Sequence, residues 1–153
     1  TDLKEKYHRE SRLANIEDTI AYFEEKAEAD ADFFYRIRLD DEGCARNMYW
    51  VDGAARRAYK HFRGCISFTT TYLTNMYKMP RAPFIGINNH NQSLQFGCGL
   101  VQNEDTYGYT WLFKTFLKCM SGLALMNIIT DQDFSMRAGI EEVFPLAVHR
   151  HCR

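Results

Sequence analysis

Two short runs carry the residues best suited to chemistry in this 153-residue sequence. Ile66-Ser67-Phe68-Thr69-Thr70-Thr71-Tyr72 and Asn127-Ile128-Ile129-Thr130-Asp131 are apolar or β-branched, as buried strands of a central sheet are. Each ends in polar residues, so strands lying side by side would bring those ends together. Asp131 offers the carboxylate that a hard divalent cation prefers, whereas Thr69, at the matching place, offers only a neutral hydroxyl. Asp133 is a second carboxylate nearby, but its position before an apolar helical run suits a helix cap. His149, His151 and Cys152 suggest the start of a Cys/His metal element. Their spacing is too incomplete for a tetrahedral zinc site, and a strand with alternating polar side chains is the simpler reading. Arg56, Arg57, Lys60 and Arg63 form the densest basic stripe in the chain. It reads either as a phosphate contact or as an ordinary solvated helix face.

The elements that must position these residues begin with composition. At 46% hydrophobic, the chain can bury one full core, so a single domain is expected. Lys and Arg number 19 against 20 Asp and Glu, so no global charge drives it toward nucleic acid or an acidic membrane. Any such contact must come from a local patch. The apolar runs fall well short of a membrane span. Five scattered cysteines, odd in number and with no Cys-x-x-Cys pair, read as reduced thiols of an intracellular protein. With no initiator Met and an end just after an expected strand, the sequence reads as an excised piece.

In chain order, residues 1–14 are charged and weakly patterned, and are expected to be a linker or a frayed end. Residues 15–63 are expected to form a helix, a β-hairpin and a second helix packed on the core. Ile16, Ile20, Phe23 and Ala27 recur at helical spacing behind an Asn15 cap, opposite an acidic face of Glu17, Asp18, Glu24, Glu25 and Glu28. Tyr35, Ile37 and Leu39 then alternate with Arg36 and Arg38. Asp40-Asp41-Glu42-Gly43 turns the chain, and Met48 and Trp50 return it. Asp52 can cap a helix with Ala55, Ala58, Tyr59 and Phe62 inward and the basic stripe outward. Residues 64–153 then give three sequential strands, an aromatic-rich helix started by Asp105 or Thr106, the Asn127 strand, a helix stopped at Pro145, and a last strand from Leu146 to Cys152. The order βββ-α-β-α-β predicts a mixed α/β fold, a central mixed sheet flanked by helices.

Several of these segments form an ordered series. They are Phe68-Thr69-Thr70-Thr71-Tyr72, Asn75-x-Tyr77-x-Met79-Pro80-x-Ala82-Pro83-Phe84, Phe96-Gly97-Cys98, Trp111-Leu112-Phe113, Ile128-Ile129-Thr130-Asp131-Gln132-Asp133, Val143-Phe144-Pro145 and His149-Arg150-x-Cys152. The series resembles the transposase domain of Mutator-like elements. It is most similar to the domesticated plant version in the far-red-impaired-response and far-red-elongated-hypocotyl regulators. The hairpin from Phe33-Phe34-Tyr35 to Tyr49-Trp50-Val51-Asp52 resembles the segment before that domain. The resemblance implies a ribonuclease H-like fold in which three acids hold two divalent metals about 4 Å apart.

On that pattern the first acid falls at Thr69, the second at Asp131, and the third beyond the end of this sequence. The resemblance therefore implies a scaffold without catalysis, with Thr69 and Asp131 as vestigial positions and Asp131 alone a weak metal ligand. The alternative is a fragment of an active metal-dependent transposase or nuclease. It further implies a nuclear transcription regulator in light signalling, with other proteins as partners, including oligomers with family members. DNA would be met through a zinc finger N-terminal to this domain. Zinc is expected in the longer protein, and no cofactor in this segment. No membrane and no small-molecule substrate are expected.

Overall fold

The computed structural model describes residues 2–71 and 79–152, with side chains from residue 16 onward. Its elements are α1 (Asp2–Ala29), β1 (Phe34–Leu39), β2 (Ala45–Val51), α2 (Gly53–Phe62), β3 (Ile66–Phe68), β4 (Arg81–Ile87), β5 (Ser93–Val101), α3 (Thr106–Cys119), β6 (Asn127–Thr130), α4 (Phe134–Val143) and β7 (Val148–His151). All seven strands join one mixed sheet in the order β1-β2-β5-β4-β3-β6-β7. The run from β1 through β3 is antiparallel, while β3, β6 and β7 are mutually parallel. The parallel strands need long crossovers, which α3 and α4 supply.

Local chemistry sets the turns and helix starts. Asp40 closes the hairpin: its Oδ1 accepts from the backbone N–H of Glu42 and of Cys44, both at 2.9 Å, and Arg46 pairs with its Oδ2. Gly43 at φ 81° supplies the left-handed step. Asp52, Asp105 and Asp133 cap α2, α3 and α4 by accepting from the N–H groups of Ala55, Gly108 and Met136.

One face of the sheet carries α2, α3 and α4 over an aromatic core. Phe84 and Phe116 stack with centroids 4.2 Å apart, and Phe68 meets Phe113 edge-on at 4.9 Å. The other face is covered by α1 at one end, where Ile16 and Ile20 pack with Ile37, Met48, Trp50 and Leu100. Farther along that face, Ser67, Ile85, Ile87 and Ile129 line an open cleft of about 370 Å³.

Two expectations change. The helix does not start at an Asn15 cap after a linker, because α1 already runs from Asp2. No glycine or proline interrupts residues 1–42, and Leu, Lys, Glu, Arg and Ala dominate its first half, so nothing stops the helix there. The first central strand is also shorter than its β-branched run. β3 ends at Phe68, and Thr71 makes only an isolated bridge to Arg81. The pairings Ser67 with Ile85 and Thr71 with Arg81 set Pro83 opposite Thr69. Pro83 has no N–H to give, so the ladder loses a bond at that point. Tyr72, Asn75 and Tyr77 lie outside the described residues.

Candidate functional site

The carboxyl ends of β3 and β6 emerge side by side, as expected. Their parallel register pairs Ile66 with Ile128 and Ser67 with Ile129. The paired residues end there, and two positions further along the two chains come Thr69 and Asp131. Thr69 is half-buried and Asp131 is exposed. Thr130, just before Asp131, is fully buried, and its hydroxyl donates to the Asp131 carbonyl at 2.9 Å and lies 2.7 Å from His149 Nε2. With the hydroxyl proton so placed, His149 Nε2 is the donor in the second bond. The β6 end is therefore held by hydrogen bonds that leave the Asp131 side chain out.

Asp133 does not join Asp131: its Oδ1 accepts from Met136 N–H at 2.9 Å as the α4 cap. Sequence reasoning passed over Glu104. Its Oε1 accepts from the hydroxyl of Thr70 at 2.9 Å and from that of Tyr109 at 3.1 Å, which places a carboxylate beside the end of β3. Burial first, and the neighbouring Glu104 charge second, push the Tyr109 phenol far above its ordinary range, so it stays a donor. The one available signal was position, since Glu104 precedes the Asp105 cap. Among the described residues, no group of three or more His, Cys, Asp and Glu side chains is arranged to hold a metal ion.

His149 and His151 fall on one face of β7, with ring centroids 4.7 Å apart. With Arg137 and Glu141 of α4 they line a cleft of about 310 Å³. Burial lowers the His149 pKa below its ordinary value, and the nearby His151 and Arg137 lower it further against the opposing Glu141. Cys152 follows the strand and ties its end to β6 through its backbone, donating to Thr130 O at 2.7 Å.

The basic stripe divides. Arg56 turns away from solvent and donates through Nη1 to Asp32 O at 2.8 Å and through Nη2 to Cys119 O at 2.9 Å, with its guanidinium 5.5 Å from the Phe34 ring centre. Arg63 donates to Ala124 O at 2.6 Å. Both bind main-chain carbonyls at and beyond the α3 C-terminus, where a helix leaves acceptors unsatisfied and its dipole favours a cation. Arg57 pairs with Asp32 at 2.6 Å, and Lys60 is exposed. The four residues thus share a helix but not a task.

Residues 65–153 match the family model of the MULE transposase domain. The chain belongs to the MULE transposase domain family. Among the proteins it is similar to are two from Arabidopsis thaliana. Protein FAR1-RELATED SEQUENCE 5 is 37% identical over 151 residues, 96% of this chain and 19% of that protein. Protein FAR-RED IMPAIRED RESPONSE 1 is 38% identical over 133 residues, 87% of this chain and 16% of that protein. The chain therefore spans less than a fifth of the length of either relative. No solved structure matches it. The MULE match takes in β3 through β7 and stops short of α1, the hairpin and α2, although β1 and β2 extend the same sheet.

Proposed function

We propose that this MULE domain is a non-catalytic, transposase-derived scaffold of a plant nuclear transcription regulator in light signalling. In this reading it folds as a ribonuclease H-like sheet whose metal-holding charge is gone. The strand order β5-β4-β3-β6-β7, antiparallel through β3 and parallel from β3 on, supports the fold. What carries the functional reading is the neutral Thr69 two residues past the last β3–β6 pair, where the family pattern has its first acid. Two-metal cleavage needs carboxylates that bridge and neutralise the ions, and a hydroxyl supplies neither the charge nor the bridging pair of oxygens. The domain's partners are then other proteins, including other copies of the family. DNA is met chiefly through the rest of the longer protein, where zinc belongs, with only an auxiliary contact here. No helix of the described residues is long and apolar enough to cross a membrane.

The competing reading, part of an active metal-dependent nuclease, is decided by one assay. Full-length protein is incubated with supercoiled plasmid and Mg²⁺ or Mn²⁺, alongside Thr69→Asp and Asp131→Asn versions. The unmodified protein is expected to leave the plasmid intact, and cleavage that appears only with Thr69→Asp would place the loss at this position. Cleavage by the unmodified protein, abolished by Asp131→Asn, would overturn the scaffold reading.

A further inference from the structure

A cleft of about 300 Å³ opens between α2 and the turn that follows α3. Its charge is lopsided: Arg56, Arg57 and Lys60 face one carboxylate, Asp32. The three cations are not equivalent. Arg56 is fixed by its two carbonyl bonds, one to each wall, and so holds the cleft open in one shape. Arg57 is paired with Asp32, but both side chains are more than half exposed, so the pair is weak and exchangeable. Lys60 has no hydrogen bond or ion pair among the described residues.

The rest of the lining is mainly apolar, with Ser121 the polar exception. Tyr59 is buried and donates its hydroxyl to Leu123 O at 2.8 Å, anchoring the turn. Ser121 and Gly122, at φ 58° and 79°, reverse the chain there and leave Leu123 partly exposed at the rim. The site thus offers one unneutralised cation, one exchangeable guanidinium and an apolar edge, on walls already held in place.

We propose that this cleft binds an acidic peptide segment of a partner protein, with carboxylates on Lys60 and Arg57 and an apolar side chain against Leu123. The proposal deepens the scaffold reading and rests on it, since it names the chemistry of the partner. Charge placement favours a peptide over nucleic acid. Asp32 stands on the cleft wall beside the cations, and Asp30, two residues before it, accepts from Gly53 N–H at the start of α2. A continuous phosphate backbone would run into that negative charge, whereas a short peptide can seat its carboxylates on the cations alone.

Fluorescence anisotropy on the full chain tests this with three labelled probes: a short peptide alternating Glu and Leu, its Gln-for-Glu counterpart, and a DNA duplex. The Glu peptide is expected to bind, more weakly as salt rises, and Lys60→Glu should lower its affinity about tenfold. Arg150→Glu, an exposed charge reversal on β7, should leave binding unchanged. Equal binding of the Gln peptide, indifference to Lys60→Glu, or Lys60-dependent binding of the duplex in place of the peptide would overturn the proposal. Failure here leaves the plasmid result standing, and plasmid cleavage by the unmodified protein would remove the scaffold reading whatever the peptide does.

Discussion

Phe68 and Thr69 are neighbours in the chain and belong to two differently built regions. Phe68 is fully buried, wedged between Phe84 at 4.8 Å and Phe113 at 4.9 Å. Thr69 is half-buried and lies where Pro83 interrupts the ladder, at the β3 end from which the neighbouring β6 leads to the exposed Asp131. The first region is held by contacts that no charge enters. In the second, the backbone is fixed by Thr130, His149 and Cys152 while the acidic side chain stays outside that network. A frame built in this way does not draw on the Asp131 carboxylate for its stability, so that charge can change while the sheet persists.

The largest effect should therefore fall in the core. Phe116 is fully buried, stacks on Phe84 at 4.2 Å and meets the rings of Tyr49, Tyr59 and Phe144. Phe116→Ala removes a ring that four elements share and leaves a cavity they cannot close together. A loss of about 3–5 kcal/mol is expected in urea unfolding. A loss below about 1 kcal/mol would mean that the stack is not where the stability of the fold resides.

An intermediate effect should fall at Asp133, which stands between the two regions in sequence and in role. Its carboxylate was read as either a metal ligand or a cap, and the bond to Met136 N–H is the cap. Asp133→Ala should then cost about 1 kcal/mol, while Asp133→Asn, which keeps the accepting oxygen without the charge, should cost little. Equal damage from both variants would show that the charge matters, and would move Asp133 into the edge site.

What was legible in the sequence follows the same division. The caps at Asp52, Asp105 and Asp133 were readable because each is a polar side chain just before an apolar helical run, a local signal. The β3–β4–β5 series was readable from three sequential strands, and β3 beside β6 from two apolar, β-branched runs that each end in polar residues. Arg56 and Arg63 were not, since helical spacing places a side chain on a face but cannot reveal that carbonyls of a distant helix end lie within reach. Glu104 was hidden for a similar reason: its partners Thr70 and Tyr109 lie on separate elements. Pro83 was visible as a residue, but its effect on Thr69 needs the antiparallel register, which no single run of sequence contains.

The smallest effect is expected at Asp131, and it is the sharpest check on the contrast between core and edge. The side chain is exposed and makes no hydrogen bond or ion pair among the described residues; its backbone carbonyl, which accepts from Thr130, survives any substitution. Asp131→Asn should shift unfolding free energy by no more than about 0.5 kcal/mol, measured by the same urea titration. A gain would be instructive, because it would mean that the exposed carboxylate is repelled by negative charge nearby, with Glu104 the first suspect. A loss above about 1 kcal/mol would show instead that the edge still depends on this charge. The fold and the β3–β6 edge would then be coupled, and the separation between buried frame and edge charge would no longer hold.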